Sequence, residues 1–167
     1  MKLRKIVKLT NNSNKNQLQL KKRALYYLGK RDYSRVELGR KILVYSESLE
    51  LNKADLELVL DELEEKNWLS DERFSEQFVL SKKRKFGTRK IAYELKLRGV
   101  SESIITRVLR DIKDDEFLLA KKIWERKFNQ IPITIDEKAK QIRFLQSRGI
   151  EVAIIHQILS GKSPELI

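Results

Sequence analysis

The chain has 167 residues, 41% of them apolar, with six glycines, two prolines, no cysteine and a formal charge of +12. This composition excludes disulfides and thiolate metal sites, and it argues against a sheet-rich fold full of tight turns. No apolar run approaches the roughly 20 residues of a membrane span, and the basic N-terminus lacks an apolar signal core. The expectation is a cytoplasmic protein with no membrane partner.

Charge is distributed in blocks. Residues 1–31 hold ten Lys/Arg and no acid, whereas residues 32–71 hold five bases and eleven acids. Residues 72–113 return to twelve bases against five acids, and residues 114–167 are nearly balanced at nine and eight. Such alternation suits a protein that meets a polyanion over part of its surface.

In chain order, residues 1–16 read as a basic arm, with a weak alternation that allows a short strand at Leu3 to Leu9. From Gln17 a helical period takes over, with Leu18, Leu25 and Leu28 on one face and a stop near Gly29. "SRVE" (34–37) is a capping-box pattern, in which the Ser34 hydroxyl accepts the Glu37 N–H and the Glu37 side chain reaches back. It opens a helix through Leu38, Ile42 and Leu43. Asn52 is an N-cap candidate for a third helix carrying Leu56, Val59, Leu60 and Leu63 at three- and four-residue spacing. That helix ends around "KNWLSD", where Ser70 or Asp71 caps the next, and Trp68 and Phe74 read as core anchors.

The next segments are a helix from about Asp71 to Lys85, one from Thr88 to Gly99, and one from Ser101 through Ile104, Ile105, Val108, Leu109 and Ile112. The last third spans about Asp114 to Phe128, a loop with Pro132, a helix opened by the "TIDE" box (134–137), and a short helix ending at Gly161. Leu95, Arg98, Gly99, Val100, Ile104, Ile105, Val108 and Leu109 match Leu145, Arg148, Gly149, Ile150, Ile154, Ile155, Ile158 and Leu159 at a constant offset of 50. The expected fold is therefore all-α: three tandem three-helix modules (17–70, acidic; 71–113, basic; 114–167) forming an elongated, curved array.

No catalytic pattern is found, and neither an enzyme nor a cofactor or metal is expected. His156, the single histidine, lies between Ile155 and Ile158 with no nearby cysteine, which fits a surface position better than a base or ligand. There is no phosphate-binding glycine loop, HExxH or GxSxG. The basic knot is more informative. With Ile91 and Leu95 facing inward, Arg89, Tyr93 and Lys96 fall together on the opposite side of their helix. Two cations flanking an aromatic ring offer phosphate contacts and a stacking surface. Lys82, Lys83, Arg84, Lys85 and Lys90 adjoin them. Lys21, Lys22, Arg23, Lys30 and Arg31 form a secondary group.

"NWLSDERFSEQFVLSKKRKFGTRKIAYELKLRGV" (67–100) resembles the RecX family, with its glycine-hydrophobic-Leu-Asp-Asp-x-Arg-Phe-Ala joint and its Gly-x-x-Arg-Ile-x-x-Glu-Leu core. "ALYYLGKRDYSRVELGRKIL" (24–43) and the stretch from "KIWERKF" to "FLQSRGIEVAIIHQIL" (122–159) are similar too. Asn67 replaces the usual glycine and Ser75 the usual alanine; Asn is the next best residue for a left-handed backbone. The resemblance implies a monomeric, non-catalytic regulator of the RecA recombinase. It would lie in the groove of the RecA–single-strand DNA filament, meeting single-stranded DNA through the filament and by weak direct binding, and modulate, most commonly inhibit, strand exchange, ATPase and coprotease activities in DNA repair and the SOS response. The alternatives left by the residues alone are a free-standing DNA-binding protein of helix-turn-helix type and a generic protein-interaction solenoid.

Overall fold

The structure is a computed structural model that describes residues 2–46 and 53–161, with side chains from Lys15 onward except at positions 45, 46, 111 and 114. Among the described residues there are nine helices and no strand: α1 (Lys2–Leu28), α2 (Arg35–Ser46), α3 (Lys53–Glu65), α4 (Asp71–Lys82), α5 (Thr88–Leu97), α6 (Glu102–Asp114), α7 (Glu116–Glu125), α8 (Ile135–Ser147) and α9 (Val152–Leu159). The all-α expectation holds. The N-terminal expectation does not, because α1 is already helical at Lys2 and Leu3 to Leu9 form no strand. The reason is local: residues 2–28 contain neither Gly nor Pro, and six Lys and six Leu, both good helix formers, outnumber the four Asn.

Two compact units emerge, residues 1–74 with 98–100, and residues 75–97 with 101–167. In the first, α1, α2 and α3 close on a core of Leu20, Ala24, Tyr33, Leu38, Ile42, Leu56, Val59, Leu60, Leu63 and Leu69. The four apolar α3 positions expected from their spacing are all buried. The α1 stripe is different: Leu18 and Leu25 face solvent, and Leu20 and Ala24 face the core. Phe74 is buried as expected, but Trp68 is 45% exposed. Asn67 adopts φ +55°, the left-handed turn foreseen for it, and the indole that follows lies under the Lys66 and Lys21 ammoniums, at 5.3 and 5.9 Å.

Caps fix the helix starts. Ser34 Oγ accepts the Glu37 N–H at 3.1 Å and donates to the Arg98 carbonyl at 2.7 Å. The Glu37 carboxylate takes a two-point bond from Arg31 at 3.1 Å instead of completing the expected box. Ser70 Oγ accepts the Arg73 N–H and so caps α4. Asp71, the alternative cap, accepts the Arg35 N–H at 2.7 Å and secures the start of α2. Burial pushes its carboxyl above the ordinary value although that bond opposes the shift. Asn52 lies outside the described residues.

In the second unit, α7, α8 and α9 enclose Ala120, Ile123, Trp124, Leu145, Ile150, Ile155, Ile158 and Leu159. The Thr134 box is complete: Thr134 Oγ1 accepts the Glu137 N–H, and the Glu137 carboxylate accepts the Thr134 N–H. Inside this core the Trp124 Nε1–H donates to Gln141 Oε1 at 2.6 Å, and Gln141 Nε2 donates to the Gln130 carbonyl at 3.0 Å. Gln141 occupies the position that matches Ile91 in the preceding repeat, so one repeat satisfies an indole where the other packs an aliphatic chain. The Gly87 N–H donates to the Arg148 carbonyl at 2.8 Å, which ties the start of α5 to the end of α8.

Candidate functional site

Helix α5 presents the expected surface. Ile91 and Leu95 are buried, Tyr93 is 58% exposed, and Arg89 and Lys96 are exposed beside it. Ten residues suffice to hold this face because Thr88, the first helical residue, is itself anchored: its N–H and hydroxyl donate to the buried Glu116 carboxylate. Lys96 makes only a loose pair with Glu102 at 3.6 Å, both side chains being about three-quarters exposed (74% and 73%), so it keeps most of its capacity for a partner. Arg89 lines a depression together with Arg110 and Lys113 from α6, and the carboxylate residues Glu102 and Glu151 line it too. Arg110 and Lys113 were not singled out in the sequence, although they lie three residues apart on α6 and so share a face of that helix.

The knot upstream does not act as one cluster. Lys82 folds its ammonium over the rings of Phe78 and Phe86, at 5.5 and 5.8 Å. Lys83 and Lys90 are half-buried, whereas Arg84 and Lys85 are exposed. Arg84 and Lys85 line a concavity with Arg126, Lys127 and Arg148, three cations that sequence reading missed.

The secondary group is largely engaged within its own unit. Lys21 and Lys66 both pair with Glu62, whose carboxyl is held below its ordinary value by the two ammoniums. Arg23 donates to the Tyr27 hydroxyl at 3.2 Å and stacks near the Tyr26 and Tyr27 rings. Lys30 sits 4.3 Å above the Tyr26 ring, and hydrogen bonding to it lowers the phenol's pKa. Arg31 lies 3.7 Å from the Tyr33 ring while pairing with Glu37. Lys22 is simply exposed. The acidic block of the first unit is similarly satisfied: Arg35 bonds Glu57, Asp61 and Glu64 on one face of α3. Among the described residues no group of three or more His, Asp or Glu side chains is placed to hold a metal ion. None of the described helices is long and apolar enough to cross a membrane.

This tandem arrangement of short helix triplets has counterparts among known proteins. The family model for the second three-helix domain of RecX matches residues 70–109, and that for the third three-helix domain matches residues 114–159. The regulatory protein RecX of Ralstonia pickettii is 38% identical over 144 residues, covering 86% of this chain and 88% of the relative. This chain belongs to the RecX family. The RecX regulatory protein of Chromobacterium violaceum is 40% identical over 142 residues, covering 85% and 90% of the two chains. Two solved RecX structures share the fold. A regulatory protein RecX superposes with a TM-score of 0.72 at 20% identity, covering 89% of this chain and 73% of the other. RecX from Lactobacillus salivarius gives 0.70 at 19% identity, covering 89% and 97%. Within this RecX chain the two family-model segments include every primary candidate residue, from Lys82 to Lys96.

Proposed function

We propose that this protein is a cytoplasmic, non-enzymatic regulator that binds the RecA–single-strand DNA filament as a monomer, lies in its groove, and damps recombinase, ATPase and coprotease activity in recombination and repair. Membership of a family of regulatory proteins supports a regulatory role. The observation that carries the interface is the α5 face, where Arg89, Tyr93 and Lys96 stand exposed on a helix whose other side is buried. Cations flanking an exposed ring suit a surface built of phosphate and protein. The three modules, 17–70, 71–113 and 114–167, are the units we assign to successive contacts along the groove.

The test is co-sedimentation. The purified protein should pellet with RecA assembled on single-stranded DNA and lower the filament's ATP hydrolysis, while showing no turnover alone. Equal binding to bare duplex DNA with no dependence on RecA would instead favour a free-standing helix-turn-helix protein.

A further inference from the structure

Twice in this chain the start of a module's second helix is a seat for the turn of the module that follows. In the first unit, Ser34 donates to the Arg98 carbonyl at 2.7 Å, and Gly99 packs so closely on Val36 that a Cβ there would lie 2.7 Å from the Val36 Cβ. In the second unit, the Gly87 N–H donates to the Arg148 carbonyl at 2.8 Å, Gly149 packs on the Lys90 backbone, and Ile150 Cδ1 lies against Gly87. Both occupants have the same form. Each offers a carbonyl at a helix C-terminus, then a left-handed glycine, then a buried aliphatic residue, Val100 or Ile150. The offset of 50 carries Gly87, Lys90 and Ile91 to Glu137, Lys140 and Gln141. These three residues line one hollow of about 220 Å³ together with Phe128, Ile131 and Ile133. Gly87 is buried under its occupant, but here the seat is open: Glu137 and Lys140 are exposed, and Ile133 is 96% exposed.

We propose that this hollow is a docking seat for the C-terminal end of an α-helix from a partner protein, one that closes with a left-handed glycine and an aliphatic residue. The seat continues an interface that the chain builds twice with that same turn. Its polar groups also call for acceptors. The Glu137 carboxylate already takes the Ile133 and Thr134 N–H groups, at 2.9 and 3.2 Å, and the Gln141 amide is bound to Trp124 and Gln130. The Lys140 ammonium supplies donors. Free carbonyls at a helix C-terminus, the negative end of its dipole, accept from such a cation. Ile131 and Ile133 then meet the aliphatic residue that follows the glycine. A second copy of the chain does not supply this turn from its described residues, because its Arg98 and Arg148 carbonyls are held by Ser34 and Gly87, and its Gly161 abuts Ile131. The seat asks for no nucleic acid and stands apart from the filament reading.

The experiment titrates a peptide of residues 134–150, acetylated and amidated at its ends, into the isotopically labelled full-length protein and follows the protein's amide NMR signals. The peptide carries its own capping box and ends in Arg148, Gly149 and Ile150, the turn that fills the matching seat, with no terminal carboxylate. Shifts should concentrate at residues 128–141 and saturate in the millimolar range. Ile133 and Lys140 are exposed, so Ile133→Ala/Lys140→Ala should keep the wild-type melting temperature and weaken binding about tenfold. A peptide that stops at Arg148 should bind several-fold less well. Wild-type protein with no saturable shifts at residues 128–141 overturns the proposal, as does a folded double variant with wild-type affinity. Equal binding of the shortened peptide overturns it too, whether or not the double variant folds, and reduces the hollow to an apolar patch that takes any helix. Sedimentation with RecA filaments is a separate measurement that bears on the filament reading alone.

Discussion

The carboxylate of Glu116, the first residue of α7, accepts the Thr88 N–H at 3.2 Å and the Thr88 hydroxyl at 2.8 Å, and so serves as the cap of α5. Burial pushes this carboxyl above its ordinary 4.5, with the two Thr88 bonds opposing the shift. In the window above that ordinary value the native state holds more protons than the unfolded chain, so stability falls as pH rises. The contribution is complete below the unfolded value and is lost as pH climbs through the higher native one. Glu116→Gln keeps an acceptor for the N–H and removes the titration. The variant's stability relative to wild type should therefore improve as pH rises above the ordinary 4.5, and level off once pH passes the raised native value, in denaturant titrations. Asp71 is also raised by burial, but it titrates in both proteins and cancels from the difference. A flat difference would show that Glu116 ionises as it does in water.

Gly99 and Gly149 end α5 and α8 with φ of +76° and +77°, a region that costs an L side chain roughly 1–2 kcal/mol. A Cβ on Gly99 would also collide with the Val36 side chain, 2.7 Å from its Cβ, whereas one on Gly149 would meet the Lys90 backbone, 2.8 Å from its Cα. Each glycine-to-alanine change should cost about 2–5 kcal/mol once overpacking is added. The two should differ in rescue. Val36→Ala should recover part of the loss in Gly99→Ala, giving a non-zero coupling in a double-mutant cycle. Lys90→Ala should recover little in Gly149→Ala, because the obstacle there is main chain.

Arg35 bonds Glu57 and Asp61 at 2.7 Å each and Glu64 at 2.5 Å. Burial works against its charge, yet the three carboxylates hold the guanidinium's pKa above the usual range. Arg35→Ala leaves three acids repelling along one face of α3. It should cost about 1–2 kcal/mol, as expected of a partly exposed network rather than a single pair. Lysine, a point charge without the fork, should restore only part of this. The loss should shrink at about 1 M salt, where exposed charges are screened; a salt-independent loss would point to packing by the arginine stem instead.

Several features were legible because they are local. The α3 core positions recur at helical spacing, the Thr134 box closes within four residues, and the offset of 50 brings Gly99 and Gly149 to the same left-handed role. The α5 face followed from turning 100° per residue about Ile91 and Leu95. What failed was a choice between competing stripes. In α1, Leu18 and Leu25 form as regular an apolar row as Leu20 and Ala24, and the small Ala24 side chain gives little hydrophobic signal. Trp68 looked buried by residue type, but the turn at Asn67 exposes it to two lysines. The basic concavity was out of reach because Arg84 and Arg126 are 42 residues apart, and no periodicity within one helix links them.

The α5 face yields the remaining prediction. Arg89→Ala/Lys96→Ala removes two exposed cations, one of which has only the long Lys96–Glu102 pair, and leaves Ile91 and Leu95 in place. Surface changes of this kind usually alter stability by no more than about 0.5 kcal/mol, so helical content and melting midpoint should stay near wild type. Binding to RecA filaments should weaken. Its log–log salt slope should flatten by somewhat less than about one unit for each cation that had touched a phosphate. Replacing Tyr93 by leucine separates the ring from the charge: if a base or planar side chain stacks there, affinity drops while the slope holds. A variant that loses its fold would show that these side chains support α5 itself. A folded double variant with unchanged filament binding would remove α5 from the interface, and the same assay repeated with Lys85→Ala/Lys127→Ala would then show whether the concavity carries the contact alone.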